Sequence, residues 1–136
     1  MKKKIIVATG KRKKAIARAT IRDGSGVVRI NSKPIENITP RLVRMRIEEP
    51  LLLAPKLAKK VNINVNVRGG GISGQADACR TAIANALVKF ENDKKLKELF
   101  INYDRSLLIS DSRRTEPHKP SRSSAGPRRK KQQSKR

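Results

Sequence analysis

Residues 61–90 read VNINVNVRGGGISGQADACRTAIANALVKF, an alternating run that meets three glycines and then an apolar-striped segment. Val61, Ile63, Val65 and Val67 fall on one side of a period-two pattern, with Asn62, Asn64 and Asn66 on the other, the signature of a half-buried strand. Asn is a poor strand former, so the alternation carries the assignment. From Ile72 onward Ala76, Cys79, Ile83, Ala86, Leu87 and Phe90 recur at three- and four-residue spacing. That stripe predicts a helix of about five turns, with Ser73 placed to cap it.

Gly69, Gly71 and Gly74 between them spell G-x-G-x-x-G, with Glu91 near the expected acidic position. A dinucleotide site needs that acid at the end of a second parallel strand, whereas the intervening residues here run helical. The phosphate-loop alternative also lacks its lysine and hydroxyl, because Gln75 and Ala76 follow Gly74. Glycines that turn the backbone at positive φ and bring strand and helix together explain the loop without nucleotide chemistry. Bared N–H groups at the helix start could also meet an RNA phosphate.

Charge dominates the composition. The 136 residues carry 34 Lys and Arg against 11 Asp and Glu, a formal net charge of +23, which calls for a polyanionic partner. A membrane is not the expected one: no apolar run approaches the roughly 18 residues of a spanning helix. At the N-terminus MKKKIIVATG is interrupted by Lys11-Arg12-Lys13-Lys14 too soon for a signal peptide. Cys79 lies on the apolar stripe and reads as a small buried hydrophobe, in keeping with a reducing compartment. His118 is the only histidine and anchors no metal site. Aromatics make up 2%, so binding is expected to rest on phosphate contacts more than on base stacking.

Along the chain, Ile5–Ala8 reads as a short strand and Thr9–Lys14 as a turn with four basic residues facing solvent or phosphate. Ala15–Arg22 alternates small residues with Arg18 and Arg22 on one face, a second strand. Asp23-Gly24-Ser25-Gly26 predicts a hairpin turn back into Val27–Asn31. Thr39 and Pro40 open a helix over Arg41–Glu49 that stops before Pro50. Leu51–Leu57 adds an apolar segment, and Leu96, Leu99, Phe100 and Tyr103 share a face of a short helix. Ser106–Asp111 reads as a last strand or an apolar strap. The order predicts an α+β fold with helices on one face of a small mixed sheet.

After Asp111 the composition changes. Residues 112–136 hold ten Lys and Arg, one acid and one aliphatic residue, and cannot form a core. Two regions are therefore expected, a globular domain over 1–111 and an extended basic tail over 112–136. Extended at about 3.3 Å per residue, 25 residues would reach roughly 80 Å.

Four stretches together resemble a known family: TGKRKKAIARA at 9–19, GGGISGQADACR at 69–80, SRRTEPHKPSRSS at 112–124 and QSKR at the end. The chain is similar over nearly its whole length to ribosomal protein S nine of the small subunit, and RRTEPHKP resembles the archaeal branch. The resemblance implies a left-handed βαβ-type fold, shared with the second domain of ribosomal protein S five, and a non-enzymatic role in the head of the small subunit, in the cytoplasm. It implies binding to the 3′ major domain of small-subunit ribosomal RNA beside neighbouring head proteins, with no cofactor and no small-molecule substrate. Its tail would reach the anticodon stem-loop of transfer RNA in the peptidyl site through Ser134, Lys135 and Arg136.

For ribosomal RNA the expected residues are Lys11, Arg12, Lys13, Lys14, Arg18 and Arg22 at the first strands, and Arg68, Gly69, Gly70, Gly71 and Gln75 at the glycine loop. Arg113, Arg114, Lys119, Arg122, Arg128, Arg129, Lys130 and Lys131 follow along the tail. Arg supplies planar paired donors and Lys a mobile charge, so the tail can track a folded RNA without reading bases. A basic RNA- or DNA-binding protein outside the ribosome would share the charge but needs no core of this size. An enzyme would need a convergent acid, base or metal constellation that the sequence does not offer.

Overall fold

A computed structural model describes residues 3–115. Its strands are β1 (Ile5–Arg12), β2 (Ala15–Asp23), β3 (Val28–Ile30), β4 (Lys33–Pro34) and β5 (Val61–Arg68). Its helices are α1 (Arg41–Leu53), α2 (Pro55–Ala58), α3 (Ile72–Glu91) and α4 (Lys94–Tyr103). The strands form one mixed sheet in the order β1-β2-β5-β3-β4, antiparallel except where β3 runs parallel to β5. An α+β architecture with helices on one face is what the alternation and the stripe imply.

The core is built on small residues. Ala8 of β1 and Ala15, Ala17 and Ala19 of β2 face Ala78, Cys79, Ala82 and Ala86 of α3, all buried. At Gly10 an added Cβ would stand 2.3 Å from the Ala78 carbonyl oxygen and 2.6 Å from the Ala82 amide, so only glycine admits the helix this close. Larger side chains fill the flanks: Ile21 and Ile63 from the sheet, Ile83 and Leu87 from α3, Phe100 from α4. Lys4 donates to the Phe90 carbonyl and lies 4.9 Å from that ring's centroid, pinning the entry to β1 against the far end of α3.

Several expected details differ. β1 does not stop at Ala8 but runs through Gly10 to Arg12, and the turn is left to Lys13 and Lys14, with Lys13 at φ 53°. Val28–Ile30 does not pair with β2. The Asp23–Gly26 segment instead wraps around the start of β5: the Gly24 and Gly26 amides donate to the Lys60 and Val61 carbonyls, and Asn62 Oδ1 accepts from the Ser25 and Val27 amides at 3.0 Å. That places β3 on the other side of β5. Asn31 extends the ladder with its side chain, accepting from the Val67 amide at 2.9 Å and donating to its carbonyl at 3.2 Å.

Helix α1 continues through Pro50 to Leu53, with no side-chain cap from Thr39. Pro50 is buried inside the helix, where its ring removes one backbone hydrogen bond. Gly71, not Ser73, is the N-cap of α3, and Ile72 is exposed, whereas Ala78, Ala82 and Ala84 are also buried because the sheet and α1 flank the helix. Only Phe100 of the α4 face is fully buried; Leu99 and Tyr103 are exposed. Residues after Asp104 form a 3-10 turn at Arg105–Leu107 and then a strap, with no strand among the described residues there. No helix among the described residues is long and apolar enough to cross a membrane.

Candidate nucleic-acid interface

With the helices on one face, the other face of the sheet lies bare. Strand register stacks its side chains in rows: Ile16 beside Arg68, Arg18 beside Asn66, Thr20 beside Asn64 and Arg22 beside Asn62. β1 adds Thr9 beside Arg18 and Lys11 beside Ile16, and β3 adds Arg29 beside Asn64. Among the described residues no outward strand position of this face holds a carboxylate; Asp23 ends β2 beside Arg22.

At one end of the sheet two loops far apart in sequence are stacked. Gly69 and Gly70 have φ of 78° and 64°, a left-handed region that favours glycine. A Cβ on Gly69 would stand 2.5 Å from the Lys14 carbonyl oxygen, so the loop after β5 presses against the β1–β2 turn. Lys14, Ile16, Arg18, Asn66, Arg68 and Gly69 line a shallow concavity of about 480 Å3. Gln75 is committed to the loop itself, its Nε2 donating to the Gly69 carbonyl at 3.1 Å. Gly71 takes extended backbone at the start of α3, with open space where a side chain would stand.

Arg113 and Arg114, where the expected tail begins, come to the same end. Arg114 Nη1 donates to the Lys13 carbonyl at 3.5 Å, and Arg113 grips Asp111 with Nε and Nη2 at 3.0 and 2.7 Å. Lys11, Lys13, Lys14, Arg18, Arg68, Gly69, Gly70, Arg113 and Arg114 are thus gathered from three separate segments. Arg22 sits at the opposite end of the open face, near Lys3 and Asp23.

Arg12 points the other way. Its place on β1 puts it on the inward side with Ala8 and Gly10, where its guanidinium lies 2.9 Å from Asp111 and 3.6 Å from Asp77. Asp77 also holds Arg46 at 3.0 Å, and Arg80 bridges Glu49 at 2.6 Å and Asp104 at 2.9 Å. For Arg12 Nη1 and Arg80 Nε the approach is Coulombic, its angle outside hydrogen-bonding range. The network absorbs four carboxylates behind the sheet and leaves the open face to cations. Arg80's hydrogen bond lowers the Asp104 pKa, and Arg113's lowers that of Asp111. Burial pushes the Cys79 thiol up to about 12, as suits an inert core residue.

Arg29 escaped the sequence reading, because its neighbours across the sheet depend on the parallel pairing of β3 with β5. The outward Asn64 and Asn66 were visible as the polar side of an alternation but not as part of a basic face. Lys119, Arg122, Arg128, Arg129, Lys130, Lys131, Ser134, Lys135 and Arg136 lie outside the described residues.

Residues 10–136 match the family model described as ribosomal protein S9/S16. The chain is 51% identical over 131 residues to the small ribosomal subunit protein uS9 of Methanococcus maripaludis strain C7, covering 96% of this chain and 98% of the relative. It is 50% identical, with the same coverage, to the uS9 protein of Methanococcus vannielii. The chain therefore belongs to the ribosomal protein S9/S16 family, non-enzymatic structural constituents of the small ribosomal subunit.

Proposed function

We propose that the protein binds the 3′ major domain of small-subunit ribosomal RNA in the subunit head, through the basic end of its sheet, among neighbouring head proteins. In this reading residues 1–111 are the RNA-anchored domain and residues 112–136 an extended tail. Lys135 and Arg136 at its tip meet phosphates of the anticodon stem-loop of transfer RNA in the peptidyl site, with Ser134 beside them. As a ribosomal constituent the protein works in the cytoplasm.

The observation that carries the reading is the convergence at one end of the sheet of the Lys13–Lys14 turn, the Gly69–Gly70 loop and Arg114 at the tail root. Clustered cations repel one another unless a polyanion neutralises them, and a phosphate backbone does so by releasing its counterions. The left-handed glycines keep that loop low, so that backbone and cations lie on one surface.

The test replaces Lys11, Lys13 and Lys14 by Gln in the full chain and measures binding to head-domain ribosomal RNA across salt concentrations. The expected result is weaker binding, with the slope of log affinity against log salt reduced by about one unit for each phosphate that is no longer neutralised. Unchanged affinity and slope would make the turn an ordinary solvated surface.

A further inference from the structure

The open face of the sheet has a pattern of its own. Arg18, Arg22, Arg29 and Arg68 surround Thr20, Asn64 and Asn66 on β2, β3 and β5, and the edge strand β1 borders them with Ile5, Val7 and Thr9. Asn is disfavoured in strands, so outward asparagines on β5 call for a reason. Asn62 has one, since its side chain holds the Ser25 and Val27 amides. Asn64 and Asn66 are exposed and make no side-chain hydrogen bond among the described residues. Their amides present donors and acceptors to whatever lies on the face.

We propose that this face, with Arg18, Arg22, Arg29 and Arg68 around Thr20, Asn64 and Asn66, seats the minor groove of an RNA duplex. The inference rests on the ribosomal RNA reading above and goes beyond it in naming the bound form of the RNA. Charge selects a polyanion, because four arginines surround the polar centre and, among the described residues, no outward position of β1, β2, β3 or β5 holds a carboxylate. Shape selects a duplex: an A-form minor groove is wide and shallow and displays 2′-hydroxyls, whereas its major groove is too deep and narrow for a sheet to read.

Scale fits as well. Arg18 and Arg22 are four residues apart on β2, about 13 Å at 3.3 Å per residue, and Arg29 lies two strands from β2, about 10 Å away. Cations at these separations can meet phosphates of both RNA strands while the amides and hydroxyl between them reach 2′-hydroxyls. A single strand would need aromatic platforms for its bases. Phe90 and Phe100 are buried behind the sheet and Tyr103 lies on α4, so this face offers none.

The experiment tethers an iron chelate that generates hydroxyl radicals to Asn66→Cys or, separately, to Lys13→Cys in the full chain assembled into small subunits. Native Cys79 is buried and leaves the introduced thiol as the one labelled. The expected result is cleavage from the Asn66→Cys probe on both strands of one ribosomal RNA helix. Cleavage confined to unpaired nucleotides would overturn the duplex. Cleavage from Lys13→Cys alone would overturn the inference and leave the ribosomal RNA reading standing, while cleavage from neither would count against both. A second variant, Asn64→Ala with Asn66→Ala, is compared for binding to an RNA duplex and to the DNA duplex of the same sequence. Its preference for RNA should fall about tenfold, the equivalent of one or two net hydrogen bonds; an unchanged preference would contradict the assigned role of the two amides.

Discussion

Gly10 sets the distance between sheet and helix, and the effect of changing it follows from the geometry. A methyl group there meets two backbone atoms of α3, neither of which can swing aside as a flexible side chain would. Gly10→Ala should lower stability by about 1–3 kcal/mol, read from the denaturant midpoint of the purified chain. Asp104 gives a pH signature. Arg80's hydrogen bond holds its folded pKa below the ordinary 3.8, so its contribution is present above that value and is lost as pH falls through the folded pKa. Asp104→Asn should therefore flatten the fall in stability below about pH 4 in acid unfolding followed by circular dichroism. Arg12 marks what residue types alone did not reveal. Lys11-Arg12-Lys13-Lys14 reads as four equivalent charges until β1 is seen to continue to Arg12, when period two turns that residue inward to Asp77 and Asp111.

At the scale of elements, that parity separates two kinds of cation in one short run. Arg12→Gln should reduce stability and leave the salt slope of RNA binding nearly unchanged, whereas Lys13→Gln should reduce the slope by about one unit and leave stability nearly unchanged. Denaturation and salt titration on the same preparations check both halves. Helix α4 is anchored by Phe100, its one fully buried side chain, so Phe100→Ala should lower stability by about 3–5 kcal/mol in the same denaturation assay. The long strand and helix around the glycine loop were legible in the sequence because both have one apolar side and neither depends on a distant partner. The place of β3 was not. Asp23-Gly24-Ser25-Gly26 has the composition of a hairpin turn, and only the Asn62 side chain, 37 residues from Ser25, shows that it wraps around β5 instead. A local signal could find the strands but not their order.

At the scale of the whole molecule, a small-residue core holds a basic sheet in place, and the proposed tail begins where the composition no longer supports a core. The ion pairs of Asp111 with Arg12 and Arg113 tie the start of the proposed tail to β1, beside the surface proposed for ribosomal RNA. The open face became legible only in three dimensions, since its cations come from β2, β3 and β5 and share a surface through register alone. The central claim is that one protein holds ribosomal RNA with its domain and transfer RNA with its tip. Its most direct test is the dissociation rate of transfer RNA from the peptidyl site of purified small subunits carrying a chain truncated after Ser134, compared with full length at the same magnesium and salt. Removing two charge-assisted bonds to phosphate should leave the subunits assembled and speed release by about tenfold or more. An unchanged release rate from intact subunits would contradict the claim.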